Sequence, residues 1–121
     1  MDKPKTNKKF GERGEDIAVD FLKEKGFQII ERNYRYGHGE IDIVAKDKDN
    51  LVFIEVKTRK NLEFGPPELT VTKSKQRQIR KIAELYLYEK KIKDTFCRID
   101  VIAILIQKNI PPKITHIINA F

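Results

Sequence analysis

Cysteine and serine each occur once, as Cys97 and Ser74, and histidine twice, as His38 and His116. The longest apolar run is the hexapeptide VIAILI at 101–106. Each scarcity removes a class of chemistry. A single cysteine allows no intrachain disulfide and no thiolate metal cluster, and its apolar surroundings mark Cys97 as a buried small side chain rather than a nucleophile. Ser74 sits in a basic segment without an elbow motif, poorly placed for a hydrolase triad. His38 and His116 lack ligand-spaced companions, so a zinc site has little support, although His38, in a turn, can still touch substrate. GHGE at 37–40 has neither the Walker nor the Rossmann pattern. VIAILI is far too short to span a membrane, and the basic N-terminus is followed by no apolar run, so the expectation is a cytoplasmic protein without a signal peptide or membrane partner.

What the chain does have is charge. Charged residues make up 36% of it and apolar residues 40%, enough for one modest core in a single domain of 121 residues. Lys and Arg outnumber Asp and Glu by 25 to 18, a formal charge of +7. A surplus of that size on a small domain favours a polyanionic partner through steering and phosphate contacts; plain solubility is the bland alternative.

Residues 1–9 read as a flexible basic tail and 10–121 as one domain. Helical periodicity predicts a first helix from about Phe10 to Lys25, with Ile17, Ala18, Phe21 and Leu22 as its stripe and Gly26 at the C′ position. Gly11 and Gly14 are odd helix formers that mark either an imperfect start or a close backbone approach. A short or irregular strand follows from Phe27 to Tyr36. The segment 60–69, KNLEFGPPEL, is a loop by its Gly-Pro-Pro, either a connector or a lid over the site. A second helix runs from about Lys73 to Lys90, capped by Thr72, with Ile79, Ile82, Ala83, Tyr86 and Leu87 as its stripe. Its basic first half opposes the helix dipole unless a phosphate or carboxylate compensates. The nearly continuous apolar run from Cys97 to Gln107 predicts a central strand covered on both faces. Asp100 reads as an edge or capping carboxylate, and Ile114–Ile118 as an added edge strand. The order α-β-β-β-α-β-(β) predicts an α/β fold with a mixed sheet.

The chain's other elements are arranged around 37–59, GHGEIDIVAKDKDNLVFIEVKTR. Strand candidates Ile41–Ala45 and Leu51–Val56, joined by KDKDN, form an antiparallel hairpin. Alternation places Glu40 with Asp42 on one face and Glu55 with Lys57 on one face, while register decides whether those faces coincide. Asp42 and Glu55 are the hard oxygen ligands Mg²⁺ prefers, with Mn²⁺ as a substitute. Lys57 can orient or help deprotonate an attacking water and stabilise a pentacoordinate transition state. Glu15 can complete the shell if the first helix packs across the open end of the sheet. An ion-pair network on a hairpin edge is the structural alternative. Candidate nucleic-acid contacts are Arg35, Tyr36 and His38 around the first turn, Arg59 after the hairpin, and Lys73, Lys75, Arg77 and Arg80 on the basic helix.

Asp42 followed by Glu55-Val56-Lys57 resembles the PD-(D/E)xK signature of restriction-endonuclease-like nucleases, with Ile41 at the position usually held by proline. The longer pattern of Gly14-Glu15, GEIDIVA, FIEVKTR and a basic helix ending in AELYL resembles a widespread bacterial family of small proteins, the UPF0102 type. That family is predicted to share the nuclease fold and is similar in plan to archaeal Holliday-junction resolvases. The resemblance runs from about Phe10 to Leu105. It implies Asp42 and Glu55 as metal-binding carboxylates, Lys57 as the catalytic lysine, Glu15 as an additional helix acid and the Val56 carbonyl as a further ligand. It also implies DNA as substrate and a homodimer as the assembly to look for, although no interface is legible. A non-cutting nucleic-acid-binding protein and a protein-interaction module remain as alternative functions.

Overall fold

The computed structural model describes residues 5–61 and 71–121, with side chains from Lys9 onward. Its elements are α1 (Lys5–Glu24), β1 (Gln28–Tyr36), β2 (Gly39–Asp47), β3 (Asn50–Arg59), α2 (Lys73–Glu89), β4 (Cys97–Leu105) and β5 (Lys113–Ile117). The five strands form one sheet in sequence order. Only the β3–β4 pair is parallel, and α2 is the crossover such a pair requires. The mixed α/β architecture and its element order are those expected from the apolar periodicity.

α1 begins at Lys5 rather than Phe10, so residues 5–9 of the expected tail belong to the helix; residues 1–4 lie outside the described residues. The helix ends as Gly26 predicted. Gly26 takes φ +93°, its N–H bonds the Lys23 carbonyl at 3.0 Å, and the Phe27 N–H reaches the Leu22 carbonyl at 2.9 Å. That is the paired bonding of a left-handed glycine stop. Thr72 Oγ1 caps α2 by accepting the Lys75 N–H at 3.1 Å. The proposed lid, 60–69, lies outside the described residues except for Lys60 and Asn61.

Each helix covers one face. On the α1 side Ala18 and Leu22 pack on Ile43, Val52, Ile54, Ile102 and Ile104. On the α2 side Ile79, Ile82 and Tyr86 pack on Tyr34, Ile41, Val44 and Phe53. β4 is buried along most of its length, as a centrally placed strand should be. One expectation fails there. Asp100 is no edge carboxylate: it has no exposed surface, and its charge is met by Arg98 Nε at 3.0 Å, His116 Nε2 at 2.7 Å and the Asn119 N–H at 2.9 Å. The hairpin is longer and its turn tighter than expected, with Lys48 and Asp49 alone between β2 and β3 and Lys48 at φ 57°. No helix among the described residues is long and apolar enough to cross a membrane.

Candidate active site

Along β3, Phe53 faces α2 and Ile54 faces α1. Alternation therefore puts Glu55 and Lys57 on the α2 side. Ile43 pairs with Ile54, and beyond that pair the β2–β3 ladder opens. There the Asp42 carboxylate takes the place of a backbone acceptor: its Oδ2 receives the Val56 N–H at 2.8 Å. Strict alternation, which would give Ile41 and Ile43 the same face, breaks at this point. Ile41 packs in the α2-side core and Ile43 in the α1-side core. The break is matched in β1, where Asn33, between Arg32 (opposite Ile43) and Tyr34 (opposite Ile41), takes φ 55°. Asparagine is one of the few residues that adopt this left-handed conformation at modest cost.

α1 supplies the third wall. A Cβ on Gly14 would run into the Thr58 side chain, so glycine is what lets the helix lie this close to β3. Glu15, the next residue, thereby reaches the hairpin. Oxygen atoms of Glu15, Glu40 and Asp42 lie within 4.8 Å of one another. The Asn33 side-chain amide donates to both Glu15 oxygens, at 3.0 and 3.1 Å, and to Glu40 Oε1 at 2.8 Å. Arg32 holds Glu15 at 3.3 Å and Asp16 at 2.7 Å, and Arg35 Nε lies 3.4 Å from Glu40 Oε2. Asn33 was missed in the sequence, and Glu40, placed there on one face with Asp42, was not named as a ligand.

Burial and mutual repulsion shape the electrostatics. Burial foremost, then the Asp42 charge, pushes Glu55 up to about 7, with Lys75 and Lys57 opposing. Asp42 is raised by burial and by Glu40, against the pull of the Val56 N–H. Glu15 is raised by burial and then by Asp42. Lys57 Nζ stands 4.0 Å from Glu55 Oε1. Glu15, Glu40 and Asp42, drawn from two elements, are oxygen donors suited to a hard divalent cation, and buried Glu55 on β3 interacts with the Asp42 charge. Of the ligands expected from the sequence, Asp42 and Glu15 lie in this group together with Glu40; Glu55 is outside it, and Val56, expected to contribute its carbonyl, meets Asp42 through its N–H.

The model of the family described as "Uncharacterised protein family UPF0102" matches residues 14–104. The chain is 56% identical to a UPF0102 protein of Geotalea daltonii, over 95% of this chain and 91% of the relative. It is 49% identical to one of Dictyoglomus thermophilum, over 95% of this chain and 98% of the relative. The chain belongs to the UPF0102 family. The region matched by the UPF0102 model opens at Gly14, the residue that admits α1 to the hairpin, and contains all four carboxylates together with Lys57 and Lys75. The edge strand β5 lies outside it.

The remaining candidates divide. Lys75 is half-buried on the α2 stripe of Ile79 and Ile82 and acts electrostatically on both Asp42 and Glu55. Those two carboxylates supply the compensation that a basic helix start calls for. Lys73, Arg77 and Arg80 form a separate exposed stripe at helical spacing, Arg80 bordering a cleft with Phe53 and Cys97. Exposed Tyr36 and His38 line a cleft of about 310 Å³ with Gln78 and Lys81. Arg35 is bound up with Glu40. Arg59 is half-buried, with a buried Nε that has no acceptor among the described residues.

Proposed function

We propose that this protein is a metal-dependent nuclease that hydrolyses phosphodiester bonds in DNA, on a restriction-endonuclease-like variant of the mixed α/β fold. The observation that supports this is the meeting of Glu15, Glu40, Asp42 and Glu55 beside Lys57 and Lys75 in a chain of charge +7. Asp42, Glu15, Glu40 and Glu55 would hold Mg²⁺ or Mn²⁺, which polarises the phosphodiester and lowers the pKa of water when bound. In the metal-free protein Glu55 ionises near 7, so cation binding there is linked to release of its proton around neutral pH. Lys57 Nζ, beside it, orients the attacking water and stabilises the charge that develops on phosphorus oxygens. Asn33 keeps Glu15 and Glu40 aimed inward. Purified protein with Mg²⁺ or Mn²⁺ is expected to cut duplex, single-stranded or four-way DNA, and to lose cutting by orders of magnitude in Asp42→Ala and Glu55→Ala. Failure of the wild type on all three substrates under those conditions would sink the enzymatic reading.

One observation favours a second reading, a non-cutting nucleic-acid binder on the same fold. Lys73, Arg77 and Arg80 are exposed and form no ion pair among the described residues. Binding on this reading survives Glu55→Ala and weakens when those three are neutralised.

A further inference from the structure

The acid cluster has a basic neighbour on the opposite side of the sheet from α2. A groove of about 550 Å³ opens where α1 passes the ends of β3 and β4, lined by Phe10, Arg13, Lys60, Ile106, Gln107 and Lys108. Phe10 packs against the α1-side core, to which Ile106 belongs, so the groove lies on that face. Among the described residues, every charged residue in its lining is cationic. Arg32, Arg35 and Lys57, beside the acids, are already paired with carboxylates, and Lys75 acts on Asp42 and Glu55 from the α2 side. Arg13, Lys60 and Lys108 form no ion pair among the described residues. The Lys60 ammonium is held 5.1 Å from the centre of the Phe10 ring, an apolar wall that fixes the charge without neutralising it.

Position along the chain ties this groove to the acid site. Arg13 precedes Gly14 and Glu15 on α1, and Lys60 follows Thr58, the residue against which Gly14 packs. The β3–β4 pair is parallel. Ligands of α/β sheets gather beyond the carboxyl ends of parallel strands, which is where Lys60 and Lys108 stand. Cations that form no ion pair among the described residues, set in a shallow groove, suit an anion whose charge is spread along a chain.

We infer that the groove of Arg13, Lys60 and Lys108 is a phosphate-binding track for the backbone of a nucleic-acid strand passing the acid cluster on the α1 face. This rests on the nucleic-acid reading above. Together with the α2 stripe it puts cationic contacts on both faces of the sheet, with the carboxylates between them. Each phosphate contact steepens the dependence of log K on log salt concentration by about 0.9 on duplex DNA.

The test is fluorescence anisotropy of labelled duplex and four-way DNA across a salt series in EDTA, so that cleavage plays no part. The triple variant Arg13→Gln, Lys60→Gln, Lys108→Gln is compared with Lys46→Gln, Lys91→Gln, Lys93→Gln, which removes equal charge at the far end of the sheet. All six positions are exposed, so both variants are expected to fold. The groove variant is expected to flatten the slope by about 2 to 3 on at least one substrate, with the control close to wild type. Equal effects in the two variants would reduce the groove to bulk charge and overturn it, as would a wild-type slope in the groove variant. A wild type without salt-dependent affinity for either DNA would overturn the nucleic-acid reading itself, a result distinct from the other two.

Discussion

Glu55 carries the sharpest single-residue consequence. With 6% of its surface exposed and Asp42 beside it, its carboxyl is pushed up to about 7 from an ordinary 4.5. The folded, metal-free protein therefore binds this proton more tightly than the unfolded chain does. The stability this contributes is complete below about pH 4.5 and is lost as pH rises to about 7, on the order of 3 kcal/mol. Thermal unfolding in EDTA should show the melting temperature falling across that window, and Glu55→Gln should flatten the fall. A divalent cation reverses the sense: it takes the ionised form, so below neutrality calorimetric Mn²⁺ affinity should rise as the proton is lost. A melting temperature that rises through the same window in EDTA would contradict the assignment.

The element that makes the site is the irregular start of β2 against β1, and Asn33 is its pivot. The residue does two separable things: it takes φ 55°, and its amide holds Glu15 and Glu40. Asn33→Gly keeps the backbone freedom and removes the amide. Outer-shell partners of this kind typically contribute 10- to 100-fold in metal affinity. Asn33→Gly should therefore weaken Mn²⁺ binding by about that factor in calorimetry, and wild-type affinity in this variant would show that the backbone turn alone matters. Asn33→Ala should add a loss of stability of about 1–2 kcal/mol, from forcing a side chain other than asparagine into the left-handed region. The helices, the hairpin and the central strand were legible in the sequence because burial imprints a period on the apolar residues. Asp42, Glu55 and Lys57 were legible because spacing along two strands carries them. The break at Asn33 was not. It depends on Glu15 arriving from α1, a contact between residues 18 apart in sequence, and Glu40, though placed on one face with Asp42, was not named as a ligand because that contact is what makes it a wall of the site. Gly14 announced a close approach, but only the fold names Thr58 as what is approached.

Among the described residues the buried carboxylates belong to two separate systems. The acid site occupies the open end of β2 and β3, and Asp100 organises the other half of β4. Arg98 bridges Asp100 to Asp47 on β2, and His116 on β5 links it to Lys25, just beyond α1. Asp100 escaped the sequence reading because a carboxylate beside an apolar run looks like a boundary until its cations arrive from other elements. Burial pushes its carboxyl up, but the bonds from His116, Arg98 and the Asn119 N–H outweigh this and leave it below the ordinary value. The sign is therefore opposite to that of Glu55. Asp100 contributes stability above its unfolded pKa and loses it as pH falls through the folded one. Metal-free protein should accordingly be most stable in mild acid, between the acid loss at Asp100 and the rise of charge at Glu55. Asp100→Asn retains the shape but leaves buried Arg98 with Asp47 alone as its counter-charge among the described residues and presents His116 with a poorer acceptor. Breaking a buried pair in this way costs about 3–5 kcal/mol, so the melting temperature should drop by at least about 10 °C. Because the network lies away from the carboxylate cluster, variant that is still folded at low temperature should bind Mn²⁺ with wild-type affinity. Loss of that affinity in the folded variant would show that the two systems are coupled through β3 and β4 rather than independent.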